Sequence, residues 1–279
     1  MDSRLAARLG FDADARLLIV NCDDLGSSHA ANLATHRALA EGIATDATLM
    51  VPCPWAPEAV QLCRGFPLGI HLTLTSEYEG CRWRGLTQGA SLHDARGFLP
   101  RSAAEALDRL TPEDARAECL AQIETALSWG VDVTHLDAHM GVMQDRADLF
   151  EVYLDLAAQF GLPVRMASAE DCARQGFGAR ERATARGILF NEQMLYAWPT
   201  PAGPTLRAAL PRLAPGVTEI FAHPALDGEE LRGCSPASAA LRIDDAQSLL
   251  DPSLAEDIAQ HGVRRIGFRA LRDAQRRGG

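Results

Sequence analysis

The sequence contains no lysine: its 27 basic residues are all arginine. That excludes a Schiff-base lysine, a lysine-bound pyridoxal cofactor and a phosphate-binding P-loop, each of which needs the ammonium group. Aromatic residues are few (6%), and no apolar run approaches the length of about 18 residues that reads as a membrane-spanning helix. The opening stretch, Met1 to Asp14, mixes Arg and Asp and lacks the apolar centre of a secretory signal. The seven cysteines show no C-x-x-C spacing and are odd in number, so neither a disulfide framework nor a Cys-type zinc site is expected. They read instead as small buried apolar residues in a cytoplasmic, reducing environment. No Gly-x-Gly-x-x-Gly follows the first apolar run, so a dinucleotide fold has no support. The formal net charge is −10, with Arg scattered among Asp and Glu, which argues against nucleic acid or an anionic membrane as partner.

What is present is the composition of a globular chain: 279 residues, 47% apolar and 23% charged, enough to bury a large core without metal staples. Short β-rich runs alternate with helical patterns. Leu17 to Asn21 is a continuous apolar run, the mark of a strand buried on both faces. Further strands are expected at Thr45–Val51, Leu68–Thr75, Val131–Leu136, Val164–Met166, Glu219–Ala222 and Arg265–Phe268. Helices are expected at Ser28–Glu41, Pro57–Arg64, Thr111–Trp129, Asp145–Phe160, Thr205–Leu213 and near 253–261. The start at Thr111-Pro112-Glu113-Asp114 is especially clear, with a cap, a Pro in the first position and acids in the first turn. Residues 76–110 read as a long loop insertion and 168–204 as irregular. About seven strands separated by helices point to an α/β chain with a parallel sheet. We expect a TIM-like (β/α) barrel, incomplete or distorted, in a single domain over 1–279.

In barrels the active site is built at the C-terminal ends of the strands. Asp23-Asp24 follows the first strand, His71 lies in the third, His135-Leu136-Asp137-Ala138-His139 ends the fourth, and His223 ends a late one. Period two places His135, Asp137 and His139 on one side of a strand. One carboxylate with two neutral imidazoles can hold a divalent cation with positions open for water and substrate. The ion would polarise a carbonyl, a second carboxylate could take a proton from water, and a separate His could protonate a leaving amine. Tyr78, Trp83, Tyr196 and Trp198 fall in the two loop regions, where rings either stack on a sugar face or pack the loops onto themselves. Arg165, ending a short strand, either binds substrate polar groups or joins a structural ion pair. Cys22, beside the two acids, has no dedicated base in the motif and is not expected to be a nucleophile.

These pieces carry a resemblance. Leu18-Ile19-Val20-Asn21-Cys22-Asp23-Asp24-Leu25-Gly26, Gly69-Ile70-His71-Leu72-Thr73-Leu74-Thr75, Thr134-His135-Leu136-Asp137-Ala138-His139 and His223-Pro224 are similar to motifs of the YdjC-like carbohydrate deacetylase family, which includes chitooligosaccharide deacetylase. The resemblance implies a (β/α) barrel that removes an N-acetyl group from an amino sugar or oligosaccharide using one divalent metal ion, Mg2+ or Zn2+. It implies Asp24, His71 and His139 as metal ligands, Asp23 as general base and His223 as general acid. His135, Asp137 and Arg165 would then stand behind the ligands or against the substrate, and Tyr78, Trp83 and Trp198 would offer faces to the sugar. Two departures stand out: Cys22 where the family more usually has Ala, and Met140-Gly141-Val142-Met143 where further His often follow. The motifs leave three alternatives: a metal-dependent hydrolase of another amide, one of a phosphoester, and a non-catalytic carbohydrate-binding barrel. The expected partner is an N-acetylated sugar, and a homo-oligomer is left open.

Overall fold

A computed structural model describes residues 4–278. The strands are β1 (Arg16–Leu25), β2 (Asp46–Leu49), β3 (Leu68–Leu72), β4 (Val133–Ala138), β5 (Gln193–Leu195), β6 (Gly216–Ala222) and β7 (Val263–Arg265). Every pairing is parallel, in the order β4-β3-β2-β1-β6-β5, and β7 runs beside the lower half of β1. Single parallel bridges, Leu136 to Val164 and Val164 to Phe190, carry the sheet on from β4 to the strand that pairs with β6. The sheet therefore curls into the expected TIM-like barrel in incomplete form, with fewer than eight regular strands and two single-residue bridges where the curl is completed.

Alternation along the strands separates two environments. On β1, Leu18, Val20 and Cys22 join the large core beneath the surrounding helices, as do Ala47, Leu49, Ile70, Leu72, Leu136 and Ala138 of the neighbouring strands. Leu17 and Ile19 face the other way and pack with Leu189, Val217, Phe268 and Leu271. Continuing the same parity, Asn21 and Asp23 follow on β1, His135 and Asp137 on β4, and Glu219 and Phe221 on β6. The barrel interior is apolar at its lower end and polar at the C-terminal ends of the strands. Gly69 serves this interior: a Cβ there would lie 2.4 Å from the His135 ring, so only glycine lets that imidazole fold inward.

The helix starts follow their capping residues. Ser28 accepts from the Ala31 amide and Thr111 from that of Asp114, at the heads of His29–Glu41 and Pro112–Ser128; Gly161 closes Ala147–Phe160 in the left-handed region. Several expectations are corrected. The 168–204 region is not irregular throughout: it holds helices Ala169–Gln175 and Ala179–Ala185, strand β5, and the start of helix Ala202–Ala209. The last strand lies at Val263–Arg265, and Phe268 instead opens a helix, Phe268–Arg277, that closes the lower end of the barrel. Its amide donates to Asp46, and its ring stacks on His135 with centroids 3.9 Å apart. Helices Ala103–Arg109, Glu229–Cys234 and Ala239–Leu249 had no counterpart in the sequence pattern. The long loop after β3 is held by polar side chains of helix Pro112–Ser128: Glu118 accepts from the Leu86 and Thr87 amides, and Gln122 pairs both ways with the Thr73 backbone. All seven cysteines are unpaired; Cys81 and Cys234 are half-buried and the other five buried. None of the described helices is long and apolar enough to cross a membrane.

Candidate metal centre and active site

Two adjacent acids on one strand should point to opposite faces. Here the β1–β2 register slips by one residue between Cys22 and Leu25, and Asp24 takes a left-handed backbone with φ of 63°. That bulge turns Asp24 toward the barrel mouth beside Asp23. Asp24 Oδ1 then lies 3.4 Å from His71 Nε2 and 3.2 Å from His139 Nδ1, and these two nitrogens are 3.2 Å apart. All three residues are buried, and Asp24 Oδ1 has no hydrogen-bond donor among the described residues. Ligands 2.0–2.2 Å from a tetrahedral ion stand about 3.3–3.6 Å apart. The triangle of donors, with one carboxylate oxygen otherwise orphaned, therefore fits a divalent cation.

The surroundings fix each donor. Asp137 sits opposite His71 in the β3–β4 register, and its Oδ2 lies 2.7 Å from His71 Nδ1, leaving Nε2 for the cation. Glu77 touches His139 Nε2 at 3.1 Å, leaving Nδ1. Arg242 donates to Asp24 Oδ2 at 2.7 Å, leaving Oδ1. Burial alone would raise the Asp24 carboxyl, but the Arg242 guanidinium and the two neighbouring imidazoles together hold it well below the usual carboxylate range. Burial likewise opposes charge on the two rings, yet Asp137 and Asp24 push His71 up to about 9, and Glu77 and Asp24 push His139 up to about 10. The pocket is thus rich enough in carboxylate to hold positive charge among these rings, as protons or as a metal ion competing for the same nitrogens.

Asp23 is gripped by Arg165 through both oxygens, at 2.6 and 2.7 Å, and also accepts from Asn21 at 2.7 Å. The same guanidinium reaches Asp137 Oδ2 at 2.6 Å and Glu219 Oε1 at 2.8 Å. Arg165 thus stands in a buried ion-pair cluster, and its donors are spent on protein carboxylates. Burial pushes Glu219 up to about 8, with Arg165 opposing. His223 Nε2 lies 4.0 Å from Asp23 Oδ2, and burial lowers its ring to about 4, which leaves it neutral near pH 7.

A cleft of about 720 Å³ opens above these groups. Its walls include Tyr78, Met140, Tyr196, Trp198 and Phe221. Trp198 is 41% exposed and meets the His223 ring at 4.7 Å between centroids. Two of the candidate residues do not line the cleft. Trp83 is only 3% exposed, donates its indole N–H to Thr75 O and packs edge-on against Tyr78 below the cleft, so it offers no face to a ligand. His135 shares the strand side of Asp137 but stacks on Phe268 and bonds to Thr134; burial lowers its ring to about 3, with Asp137 opposing. The sequence reading missed Glu77 and Arg242. Glu77 follows His71 by six residues, but nothing in its spacing separates it from Glu79. Arg242 lies in a helix with no motif at all.

The chain is thus a parallel (β/α) barrel with two acids and three imidazoles converging at its mouth, three of them offering donor atoms spaced as for one divalent cation. Residues 17–260 match the family described as YdjC-like protein, and the chain belongs to that family. Curated relatives include carbohydrate deacetylases of Geobacillus stearothermophilus (30% identity, covering 91% of this chain and 97% of that protein) and Brevibacillus brevis (31%, covering 91% and 99%). A carbohydrate deacetylase of Thermus thermophilus is 42% identical over 158 residues, a match spanning 57% of this chain and 56% of that one. Among solved structures, an Enterococcus faecalis protein described as a cellobiose-phosphate cleavage protein superposes with a TM-score of 0.83 at 24% identity, covering 92% of this chain and 99% of that one. That likeness speaks for the fold.

Proposed function

We propose that this protein is a metal-dependent deacetylase that removes the N-acetyl group from an amino sugar or oligosaccharide. The observation that carries this reading is the set of donors at the cleft floor, Asp24 Oδ1, His71 Nε2 and His139 Nδ1, mutually 3.2–3.4 Å apart, with Asp23 and His223 beside them. The curated relatives' activity supports the substrate class. What a divalent cation, zinc or magnesium, supplies at such donors is Lewis acidity toward an acetyl carbonyl and a lowered pKa for bound water.

The chain's own residues do the rest. Arg165 holds Asp23 in one orientation, from which its carboxylate takes a proton from the attacking water. His223, neutral at rest, receives that proton across the 4.0 Å gap and passes it to the nitrogen as the C–N bond breaks. The products are acetate and the free amine, so the atoms of one water balance the reaction. Trp198 and Tyr78 flank the cleft as surfaces for the apolar face of a sugar ring. The phosphoester reading is less well supported: the cleft's two guanidiniums, Arg165 and Arg242, are already committed to Asp23, Asp137 and Asp24. Acetate release from a panel of N-acetylated sugars, with and without chelator, tests the proposal. Chelator-sensitive acetate release supports it. Phosphate release from phosphosugars without acetate release, or sugars bound and left intact in the presence of metal, would replace it with one of the alternatives.

A further inference from the structure

The helix Ala239–Leu249 carries no recognisable motif, yet one face of it touches both halves of the site. Arg242 and Asp245 are three residues apart, so they share that face, and they are 5% and 2% exposed. Arg242 reaches Asp24. Asp245 spends its two carboxylate oxygens on two backbone amides: Oδ2 accepts from His223 N at 2.9 Å and Oδ1 from Ala202 N at 2.8 Å. The next available amide of the His223 segment, that of Ala225, donates to the Arg242 backbone carbonyl at 3.0 Å, and Pro224 between them has no N–H to give. His223 thus leaves β6 on a three-residue arch clamped at both ends by one turn of a single helix. The other amide bound by Asp245 belongs to the segment that follows Trp198, whose ring rests on the His223 imidazole.

We infer that Asp245 is a positioning residue for His223, setting where its imidazole stands relative to Asp23 and the cleft. This rests on the assignment of His223 to proton transfer. A buried carboxylate serving two amides from separate segments is a costly arrangement for a spacer, since removing either acceptor strands a buried N–H. A shift of the acid by a fraction of its hydrogen-bond reach acts on the chemical step and leaves substrate binding largely alone.

The test is a double-mutant cycle of Asp245→Asn and His223→Ala, read as acetate release from an N-acetylglucosamine disaccharide by the metal-loaded enzyme, with bound metal and thermal midpoint measured on each protein. Asn keeps the size but can serve only one of the two amides. The expected result is a kcat loss of about 10- to 100-fold for Asp245→Asn, with KM within about 3-fold and metal retained. In the His223→Ala background the same substitution should cost nothing further. Independent, multiplying losses, or an unchanged kcat in a folded Asp245→Asn protein, would overturn the inference. If the Asn protein does not fold, Asp245→Glu, with both acceptors on a longer arm, enters the same cycle. Full turnover by His223→Ala would instead remove His223 from the chemistry, and the inference with it. If the wild-type enzyme does not cleave the probe, the His223 ring resonances decide the matter by NMR. They should shift in Asp245→Asn while those of the half-buried His93 and His261 stay in place, and an unmoved His223 signal would overturn the inference.

Discussion

The two ends of the barrel interior are lined by the same strand parity and do opposite things. At the lower end, Leu17, Ile19, Val217 and Phe268 fill the space with apolar volume, and the one imidazole there, His135, is stacked on a ring and kept neutral. At the upper end, toward the C-terminal ends of the strands, Asp23, Asp137 and His71 stand instead, and an imidazole as deeply buried is pushed in the other direction, up to about 9. Burial penalises charge at both positions. What differs is the carboxylate at 2.7 Å, which His71 has and His135 lacks. Burial alone therefore does not decide which way a histidine is pushed; a carboxylate in contact with the ring, as Asp137 is with His71, outweighs it.

Substitutions at the two ends should separate these roles. The largest effect is expected at the upper end: His71→Ala should lose both bound metal and turnover, read by metal analysis and acetate release, and full activity in that variant or in a metal-stripped preparation would refute the metal centre. Next comes Asp23→Asn against Asp24→Asn. The former should retain metal and lose about 10²- to 10⁴-fold in kcat, the usual worth of general acid–base catalysis. The latter should lose metal as well unless metal is in large excess. Metal loss confined to Asp23→Asn would swap the two roles.

At the lower end, Phe268→Ala removes a fully buried ring and should cost about 3–5 kcal/mol in denaturant unfolding. The fraction that remains folded should bind metal like the wild type; weakened metal binding in it would mean that the two ends are coupled. The smallest effect is expected at the rim. Trp198→Ala should raise KM several-fold with metal content unchanged. Trp83→Ala should lower stability and leave KM unchanged, and the reverse pattern would show that the ring contacting sugar had been misassigned.

Much of this was legible in the chain itself. The apolar run at Leu17–Asn21, the caps at Ser28 and Thr111 and the closing Gly161 mark their elements through local chemistry that needs no partner. The acids and histidines at strand ends were visible because barrels expose those ends, and Asp24, His71 and His139 do converge. The helices at Glu229–Cys234 and Ala239–Leu249 were not visible, because neither presents a clear apolar stripe: the second buries Arg242 and Asp245 on its inner face. Which of its two readings applies to Trp83 was not legible, because a ring's exposure depends on what folds over it, here Tyr78 and the Thr75 carbonyl.

The sequence by itself therefore determined the alternation of strands and helices, the inward parity of each strand and the residue types available at the barrel mouth, because these follow from periodicity, capping and side-chain chemistry within a few neighbours. Only the tertiary structure decided the rest. The bulge after Cys22 turns Asp24 beside Asp23. Glu77 and Arg242, 62 and 218 residues away from their partners, select which ring nitrogen and which carboxylate oxygen stay open. Asp137 attends His71 on the next strand rather than the histidines on its own. The last three are contacts between segments far apart in the chain, and only packing of the curled sheet with its helices brings them within reach.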